Sequence, residues 1–237
     1  MVTGAGGGIG YAIAERLLAV GANVALHYFS SGERVRELAQ RYGEERCHLV
    51  QADFATPYSS QHVFDEVWSW RHQIDVLVNN AALIESVRSI EEISADDLTT
   101  MMQVNFVAPF LLTNMILGKM CQAGSGRIVS ISSIGVKYAG SSHTAHYMAS
   151  KAALEAGTLA LGKAGAYAGV LVNVVRAGVT RTLAHERLGR HDLAPREEKI
   201  PLGRAAEPSE IAEAVLFLVS PLNTYVTGAI LPVAGGE

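Results

Sequence analysis

The sequence has little of what marks secreted, metal-binding or membrane-embedded proteins. Its 237 residues include only two cysteines, Cys47 and Cys121, so it indicates neither a disulfide framework nor a cysteine metal site. Charged residues make up 18% of the chain and the net charge is −4, which gives no general attraction to nucleic acid or anionic membranes. No signal-like segment opens the chain, and no apolar run reaches the roughly 18 residues of a membrane span. We therefore expect a soluble, cytoplasmic protein.

What the chain does have is apolar material in short, regularly spaced runs. Hydrophobic residues make up 49% of it, enough for a packed interior. The runs are apolar on both faces, as covered parallel strands require, and between them Ile9, Ile13 and Leu17 illustrate the helical spacing. This alternation predicts an α/β fold for residues 1–237: a single-domain, Rossmann-type, doubly wound parallel sheet of seven strands with helices on both faces. Six predicted strands are 24–28, 47–52, 76–79, 128–132, 170–175 and 230–233.

Two segments depart from that rhythm. Only Met1 and Val2 precede the glycine-rich segment that begins at Thr3, although a strand needs about 5–6 residues, so we expect a truncated first strand with native residues upstream. Between residues 183 and 201 charged side chains dominate. A long charged excursion without a core pattern is typical of a mobile loop, and we expect a flexible substrate lid here.

The glycine-rich segment 3–10, Thr-Gly-Ala-Gly-Gly-Gly-Ile-Gly, leads from that short strand into the first helical pattern. Glycine is needed where a turn demands positive φ and where the backbone must approach a phosphate without a Cβ in the way. A helix that begins there offers free N–H donors and the positive end of its dipole to a pyrophosphate. In this strand–loop–helix context the segment predicts a dinucleotide site rather than a merely flexible start.

Further motifs accompany the glycine loop, and together they resemble those of the short-chain dehydrogenase/reductase family, in particular its 3-oxoacyl-carrier-protein-reductase-like members. The glycine spacing Gly-x-x-x-Gly-x-Gly is shared, and Tyr147 and Lys151 form the family's Tyr-x-x-x-Lys. Ala82, Ala177 and Ala234 stand where the family commonly has Gly, Pro and Asp, departures that bear on loop geometry more than on activity. The remaining matches are Asp53-Phe54, Asn79-Asn80-Ala81, Asn105, Ser132-Ser133, Asn173, Gly178, Thr182, Pro201-Leu202-Gly203-Arg204 and Thr227-Gly228.

The resemblance implies four catalytic residues, which are Asn105, Ser133, Tyr147 and Lys151. Tyr147 would be the general acid/base, and Lys151, one helical turn further on, would lower its pKa and bind the nicotinamide ribose. Ser133 would polarise the substrate carbonyl, with Ser132 as the alternative because Ser133 lies slightly further from Tyr147 than is usual. Asn105 would hold a water that relays protons to Lys151, or it could be a mid-helix asparagine bonding its own backbone.

Two histidines beside this motif have the spacing of metal ligands. His143 and His146 precede Tyr147 in the sequence, but no carboxylate or cysteine cluster is adjacent to them. We therefore expect loop histidines and no metal, with His143 within possible reach of substrate.

The resemblance also implies which residues would bind the dinucleotide, with Asp53 at the adenine ring. The choice between NAD and NADP is made at the end of the second strand, where a carboxylate bonds the ribose 2′-OH and a basic side chain accommodates a 2′-phosphate. Segment 27–31, His-Tyr-Phe-Ser-Ser, contains no acid, and Ser30, Ser31 and Arg34 could bind a phosphate, so NADP(H) is favoured over NAD(H). The expected cofactor-binding residues are Gly4, Gly8, Ile9, Gly10, Ser30, Ser31, Asp53, Phe54, Asn79, Ala81, Tyr147, Lys151, Val179 and Thr182.

These features predict an oxidoreductase that transfers a hydride between NADP(H) and a carbonyl or secondary alcohol, in the direction of ketone reduction. The alternatives are an NAD-dependent alcohol dehydrogenase of the same family and a non-catalytic dinucleotide-binding sensor or scaffold. Family members of the second kind tend to have lost the Tyr or the Lys, and both are present here. Enoyl reduction is disfavoured because that relative uses a wider Tyr–Lys spacing. Segment 165–168 lacks the basic residue expected to hold an acidic carrier protein, so a free carbonyl compound is at least as well supported. We expect no nucleic-acid or membrane partner, and a homo-oligomer, tetramer or dimer, paired through the apolar helices around Asn105 and Tyr147.

Overall fold

Strands and helices alternate along the chain in the computed structural model, which describes residues 1–87, 89–183 and 192–237. Strands β4 and β5 extend beyond the predicted runs, because their ends pair with one another as far as Ser133 and Ala177. The elements in chain order are α1 Gly8–Ala19, β1 Val24–Tyr28, α2 Gly32–Tyr42, β2 Cys47–Gln51, α3 Ser59–Arg71, β3 Val76–Asn79, α4 Ala95–Met102, α5 Ala108–Ala123, β4 Gly126–Ser133, α6 Ala145–Ala166, β5 Val170–Ala177, α7 Ala194–Glu197, α8 Pro208–Val219 and β6 Ile230–Val233.

The strands form a parallel sheet in the order β2–β1–Val2–β3–β4–β5–β6. Val2 bridges Leu26 in β1 and Val78 in β3, and its backbone N–H donates to the Ala25 carbonyl at 2.9 Å. The predicted Rossmann-type parallel sheet is confirmed. The described residues form six regular strands, and Val2 takes the remaining position as a single bridging residue. The expectation of native residues upstream stays a prediction.

Helices cover both faces of this sheet, as its apolar strands require. On one face α1, α2 and α8 enclose a cluster in which Ile13 and Leu38 are at most 1% exposed. On the other face α3, α5 and α6 pack against the sheet, and Leu77, Leu112 and Ile116 are 0% exposed. Burial on both sides makes the sheet a rigid support for whatever lies at the ends of its strands.

One helical stretch, Ala95–Ala123, contains α4, a π-helical turn over Gln103–Val107, and α5. Its 29 residues contain an 18-residue window with a mean hydropathy of 1.4, so the stretch is long and apolar enough to cross a membrane by length and composition alone. The stretch contains no uninterrupted apolar run of that length, but its mean hydropathy is high because it carries few charged residues. Its buried face packs against α3, α6 and the sheet, which is the arrangement of a core helix.

The predicted lid, about 183–201, falls partly outside the described residues, which omit 184–191. The described part contains the short helix α7 and ends in a turn at Ile200. An apolar cluster anchors this part beside the end of β5, and its members are Val179, Leu193, Ile200 and Ala205. Motion of the segment as a lid stays a prediction.

Candidate active site

A cavity of about 340 Å³ opens beside the carboxyl ends of the strands. This is the end at which parallel α/β sheets bind their ligands. The cavity joins residues that lie far apart in the sequence, from the start of α1 to the segment after β5. The predicted site residues that line it are Ile9, Ser133, Tyr147, Lys151, Val179 and Thr182, and they are joined by Asn80, Ile84, Tyr138, Met148 and Arg196.

The glycine loop turns tightly beside this cavity. Gly4 has φ +66° and Gly8 has φ +52°, in the left-handed region that favours glycine. A Cβ at Gly10 would lie 2.2 Å from the Gly4 carbonyl oxygen, so no side chain fits there. Helix α1 begins at Gly8 without a side-chain cap at Gly7, which leaves first-turn N–H groups to bind an anion. The loop therefore fits a dinucleotide pyrophosphate.

Two predicted cofactor residues pack against the loop. A Cβ at Gly8 would lie 3.1 Å from the Thr182 methyl carbon, and a Cβ at Gly6 would lie 2.7 Å from the Ser31 Cβ. Ser30 precedes Ser31 and is exposed. Thr182 and Ser31 thus bring the segment after β5 and the start of α2 against the glycine loop.

Arg34 adds a positive charge beside the same loop. Its guanidinium carbon lies 4.5 Å from the centroid of the Tyr11 ring, and its Nη1 lies 3.8 Å from where a Gly7 Cβ would stand. Phe29, directly after β1, is 59% exposed, and segment 27–31 contains no acid. Arg34 therefore supplies a cation near the place where a ribose 2′-phosphate would be selected.

Asn79 and Asn80 at the end of β3 turn in different directions. The Asn79 amide donates to the Thr113 hydroxyl at 2.7 Å, inside the core. The Asn80 amide donates to the Thr3 carbonyl at 3.0 Å, and the Asn80 and Ala81 N–H groups donate to the Thr3 hydroxyl at 2.9 and 3.0 Å. Asn80, which belongs to the matched motif but not to the expected cofactor-binding residues, secures the glycine loop. The Asn79 side chain points into the core, so a cofactor contact from Asn79 would require its backbone.

Asp53 and Phe54 follow β2 on the adenine side of the predicted site. The Asp53 carboxylate accepts the N–H of Ala55 at 2.9 Å, which stabilises the turn. Phe54 is buried and its ring stacks on His27, with centroids 4.3 Å apart. The Phe54 ring is therefore core material, and a cofactor contact from this residue would also use the backbone.

Tyr147 and Lys151 lie one turn apart in α6 and both line the cavity. Lys151 is 2% exposed, and its Nζ donates to the Ile131 carbonyl at 2.9 Å and lies 5.9 Å from the Tyr147 ring centroid. Burial lowers the pKa of Lys151 to about 8, and the Glu155 carboxylate acts in the opposite direction. Burial also raises the pKa of Tyr147, the reverse of the expected lowering, because the apolar surroundings penalise a phenolate.

The two serines at the end of β4 have different partners. The Ser132 hydroxyl donates to Glu155 at 2.6 Å, and both oxygens of that carboxylate accept from Arg176, at 2.8 and 2.6 Å. The Ser133 hydroxyl oxygen accepts the Gly135 N–H at 3.1 Å, a bond that leaves its proton to donate. Both serines line the cavity, and they differ in that the Ser133 hydroxyl proton is free to donate whereas that of Ser132 is bonded to Glu155.

Asn105 lies in the π-helical turn and is 0% exposed. Its side chain accepts the Leu83 N–H at 2.8 Å and donates to the Leu83 carbonyl and the Ser150 hydroxyl, both at 2.9 Å. Asn105 therefore ties the segment after β3 to α6 and does not bond its own helix backbone. Because the side-chain atoms already have partners, a water held by Asn105 would have to bind its backbone carbonyl. A π-turn departs from the usual helical hydrogen-bond pattern, which is compatible with a carbonyl that binds water.

Comparison with known proteins agrees with this geometry. A family model described as enoyl-(acyl carrier protein) reductase matches residues 4–237. The chain is 37% identical to 3-oxoacyl-acyl-carrier-protein reductase FabG of Aquifex aeolicus and 34% identical to acetoacetyl-CoA reductase of an Acinetobacter species, covering 100% of the chain and 95% and 96% of those proteins. A solved structure titled short chain dehydrogenase/reductase family protein matches with TM-score 0.86 and 33% identity, over 99% of this chain and 94% of that one. The chain belongs to the short-chain dehydrogenase/reductase family.

Membership of the short-chain dehydrogenase/reductase family makes the protein an oxidoreductase acting on C=O or CH–OH groups. It also confirms the resemblance that the glycine loop and the Tyr-x-x-x-Lys motif indicated. The family motifs did not reveal Asn80 as a side chain that holds the glycine loop, nor that the Gly4 N–H donates to the His27 Nδ1 at 3.1 Å. The first could have been suspected from the paired asparagines, whereas a single histidine in an apolar strand gives no signal.

Proposed function

We propose that the protein is an NADPH-dependent reductase of ketones in which Tyr147 is the general acid. The observation that carries the proposal is the convergence of Ser133, Tyr147 and Lys151 in one cavity, beside Ile9 of the glycine loop and Thr182. A bound nicotinamide would supply the hydride. The chain's own residues would hold the cofactor, orient the carbonyl and deliver the proton.

Proton delivery follows from the states of three side chains. The raised pKa of Tyr147 keeps the phenol protonated at neutral pH, which is the form that carbonyl reduction needs. Ser133 would donate a hydrogen bond to the carbonyl oxygen, and Tyr147 would give its proton to that oxygen as an alkoxide forms. Lys151, with a pKa of about 8, is mostly an ammonium at neutral pH and would stabilise the phenolate left behind. A water at the Asn105 carbonyl would then return a proton through Lys151.

Cofactor binding would be shared among segments that meet at the strand ends. The N–H groups of the loop from Gly4 to Gly10 and of the first turn of α1 would hold the pyrophosphate. Asp53 and the backbone of Phe54 would contact the adenine, and Tyr147 and Lys151 the nicotinamide ribose. Val179 and Thr182, together with Ala81 and the backbone of Asn79, complete the proposed set.

The preference for NADPH rests on charge at the end of β1. A 2′-phosphate carries nearly two negative charges, so a guanidinium attracts it and a carboxylate repels it. Arg34 lies beside Gly7 in this corner, and Ser30 and Ser31 would be hydroxyl donors. Segment 27–31 contains no carboxylate that would repel the phosphate. Discrimination should be moderate, because Arg34 is exposed to solvent.

The substrate class is proposed from the relatives and from the cavity. The two relatives named above act, by their names, on a 3-oxoacyl thioester of a carrier protein and on acetoacetyl-CoA. A 3-oxoacyl thioester is therefore the first class to test, with small free ketones second. Carrier-protein substrates are less favoured, because segment 165–168 at the end of α6 has no basic residue and exposes Tyr167, 98% accessible, instead.

The test is oxidation of NADPH and of NADH, followed by nicotinamide absorbance, with acetoacetyl-CoA, crotonyl-CoA and a panel of free ketones. We expect turnover of a ketone with NADPH and none of crotonyl-CoA, because the four-residue Tyr147–Lys151 spacing differs from that of enoyl reductases. Turnover of crotonyl-CoA alone would make the protein an enoyl reductase, and oxidation of alcohols with NAD alone would support the dehydrogenase alternative. Cofactor binding without any turnover would point to the sensor or scaffold.

Assembly and location remain parts of the proposal. Pairing of chains is supported by apolar surface on α5, where Leu111 is 48% exposed. Leu154 on α6 is buried within its own chain and does not add to this surface. We propose a homo-oligomer, a tetramer or a dimer, in the cytoplasm. A monomeric mass by light scattering at micromolar concentration would contradict the oligomer.

A further inference from the structure

His27 is a buried histidine beneath the glycine loop, and the proposed chemistry does not use it. It lies in β1 and is 2% exposed. Its ring Nδ1 accepts the Gly4 N–H at 3.1 Å, and its backbone carbonyl accepts the Ala5 N–H at 2.8 Å. Two successive N–H groups of the loop therefore end on one residue of the neighbouring strand.

The other side of the ring faces the end of β2. The His27 Nε2 lies 3.2 Å from the Ala52 carbonyl oxygen, and the ring stacks on Phe54 with an interplanar angle of 13°. A backbone N–H can only donate and a carbonyl can only accept. The ring in these contacts is therefore neutral, with its proton on Nε2, and burial supports this state by lowering the pKa of His27 to about 4.

The Gly4 peptide is the part of the loop that needs such support. Its φ of +66° is one that glycine adopts readily, and a Cβ there would lie 2.8 Å from the Ala81 Cα. Position 4 therefore has no side chain that could hold the peptide in place. On the β3 side the Gly4 carbonyl accepts the Asn80 amide at 3.2 Å. On the β1 side the Gly4 N–H has His27. An unpaired buried N–H would favour a displaced loop.

We propose that His27 is a positioning residue that holds the phosphate-binding loop in its binding conformation and joins it to the adenine side of the cofactor site. The inference deepens the proposed function and rests on it, since it takes the cofactor to be a nicotinamide dinucleotide. Because the contact is to the loop and not to the 2′-phosphate corner, it acts equally on NADPH and NADH.

Three substitutions separate the contacts of the ring. His27→Asn places an amide oxygen near the position of Nδ1, so it retains an acceptor for the Gly4 N–H. His27→Gln reaches toward the Ala52 carbonyl but leaves Gly4 without its acceptor, and His27→Phe keeps only the stack on Phe54. His48→Gln is the matched control, because His48 is also a strand histidine stacked on an aromatic ring, that of Trp70, at 5.3 Å between centroids.

The measurement is the Kd of NADPH and of NADH for each full-length variant by fluorescence titration, with kcat at saturating cofactor. We expect the Gln and Phe variants to lose about five-fold or more in affinity for both dinucleotides by the same factor, while kcat changes little. The Asn variant and His48→Gln should stay within about two-fold of the wild type on the same affinity scale. If His27 were only structural, all three variants would lose thermal stability, and the Asn variant would not regain the cofactor affinity that the Gln and Phe variants lose.

The outcomes distinguish the two claims. A wild type that binds both dinucleotides while His27→Gln and His27→Phe bind equally well overturns the positioning role alone. An Asn variant as weak as the Gln variant also overturns it, because the Gly4 acceptor would not be the contact that matters. A wild type that binds neither dinucleotide overturns the proposed function, and the positioning role with it.

Discussion

The two sides of the cavity are built differently. On the cofactor side the loop from Gly4 to Gly10 is held by hydrogen bonds: the Asn80 N–H donates to the Thr3 hydroxyl, and Gly4 bonds the side chains of His27 and Asn80. On the substrate side the wall comes from side chains of connecting segments, such as Tyr138, Met148 and Arg196, and part of the neighbouring segment lies outside the described residues.

This difference separates what the fold determines from what it leaves open. Backbone groups and glycines can bind the common part of any dinucleotide, so a parallel sheet with this loop suffices for that half of the reaction. Side chains on connecting loops carry specificity and vary without disturbing the sheet. The cofactor class therefore follows from the architecture, whereas the substrate must be found by experiment.

The largest expected effect belongs to the group that acts between the two sides. Tyr147→Phe removes the proton donor and should lower kcat by about 10²–10⁴-fold, while the NADPH Kd changes little. Tyr138→Phe is the control, since Tyr138 also lines the cavity but is 54% exposed. Steady-state kinetics and cofactor titration of both variants are the measurements. Equal activity of the Tyr147 variant and the wild type would remove this residue from the chemistry.

On the cofactor side the backbone should tolerate nothing larger than glycine. Gly10→Ala places a Cβ 2.2 Å from the Gly4 carbonyl oxygen, so the turn must shift. We expect NADPH affinity to fall by about ten-fold or more and the free energy of unfolding to fall by about 1–3 kcal/mol. Gly118→Ala in α5 is the control, because a Cβ at Gly118 meets no atom within 4 Å. Titration with NADPH and thermal unfolding of both variants decide the point, and unchanged binding by Gly10→Ala would mean that the loop is looser than this geometry implies.

The 2′-phosphate corner should respond to charge in one cofactor only. Arg34→Gln should weaken NADPH by about five- to ten-fold and leave NADH nearly unchanged, because only the phosphate pairs with the guanidinium. Arg41→Gln is the matched control on the same helix, since Arg41 bonds Glu15 and stacks on Tyr42 instead. The Kd values for both cofactors test this, and parallel losses for NADPH and NADH would place the selectivity elsewhere.

The smallest expected effect is a shift in pH dependence. The Lys151 ammonium, whose pKa burial lowers to about 8, is lost as pH rises through that value, so kcat/KM should fall above pH 8. Glu155→Gln removes the carboxylate that raises this pKa, so the alkaline limb should move to lower pH, by less than about one unit. Glu213→Gln, at an exposed pair with Arg16, should leave the limb in place. A profile that is flat to pH 10 in the wild type would contradict the assignment.

The sequence predicted the frame of the molecule well, because its signals are local. Apolar runs such as 170–175 must be covered on both faces, and the glycines of 3–10 have few other uses between a strand and a helix. The parallel sheet, the loop and the family all followed from these features. The π-helical turn at Gln103–Val107 did not, because its residues are those of an ordinary helix.

Side-chain direction and burial were beyond the sequence. Adjacent residues at a strand end face different surroundings. The paired asparagines indicated a side-chain contact, but not that Asn80 rather than Asn79 would make it with the loop. The direction of the Tyr147 pKa depends on how completely the phenol is enclosed, which only the packed structure defines. The acceptor role of His27 depends on three segments meeting in space.

The π-helical turn at Gln103–Val107 has a consequence for the balance between stability and activity. It inserts one residue more than an α-helix needs, and Asn105 reaches Leu83 and Ser150 from within it. Deleting Val104 would restore regular α-helical bonding and rotate Asn105 by about 100° away from those partners. We therefore expect removal of this turn to increase the stability of the helix and to lower the activity of the enzyme.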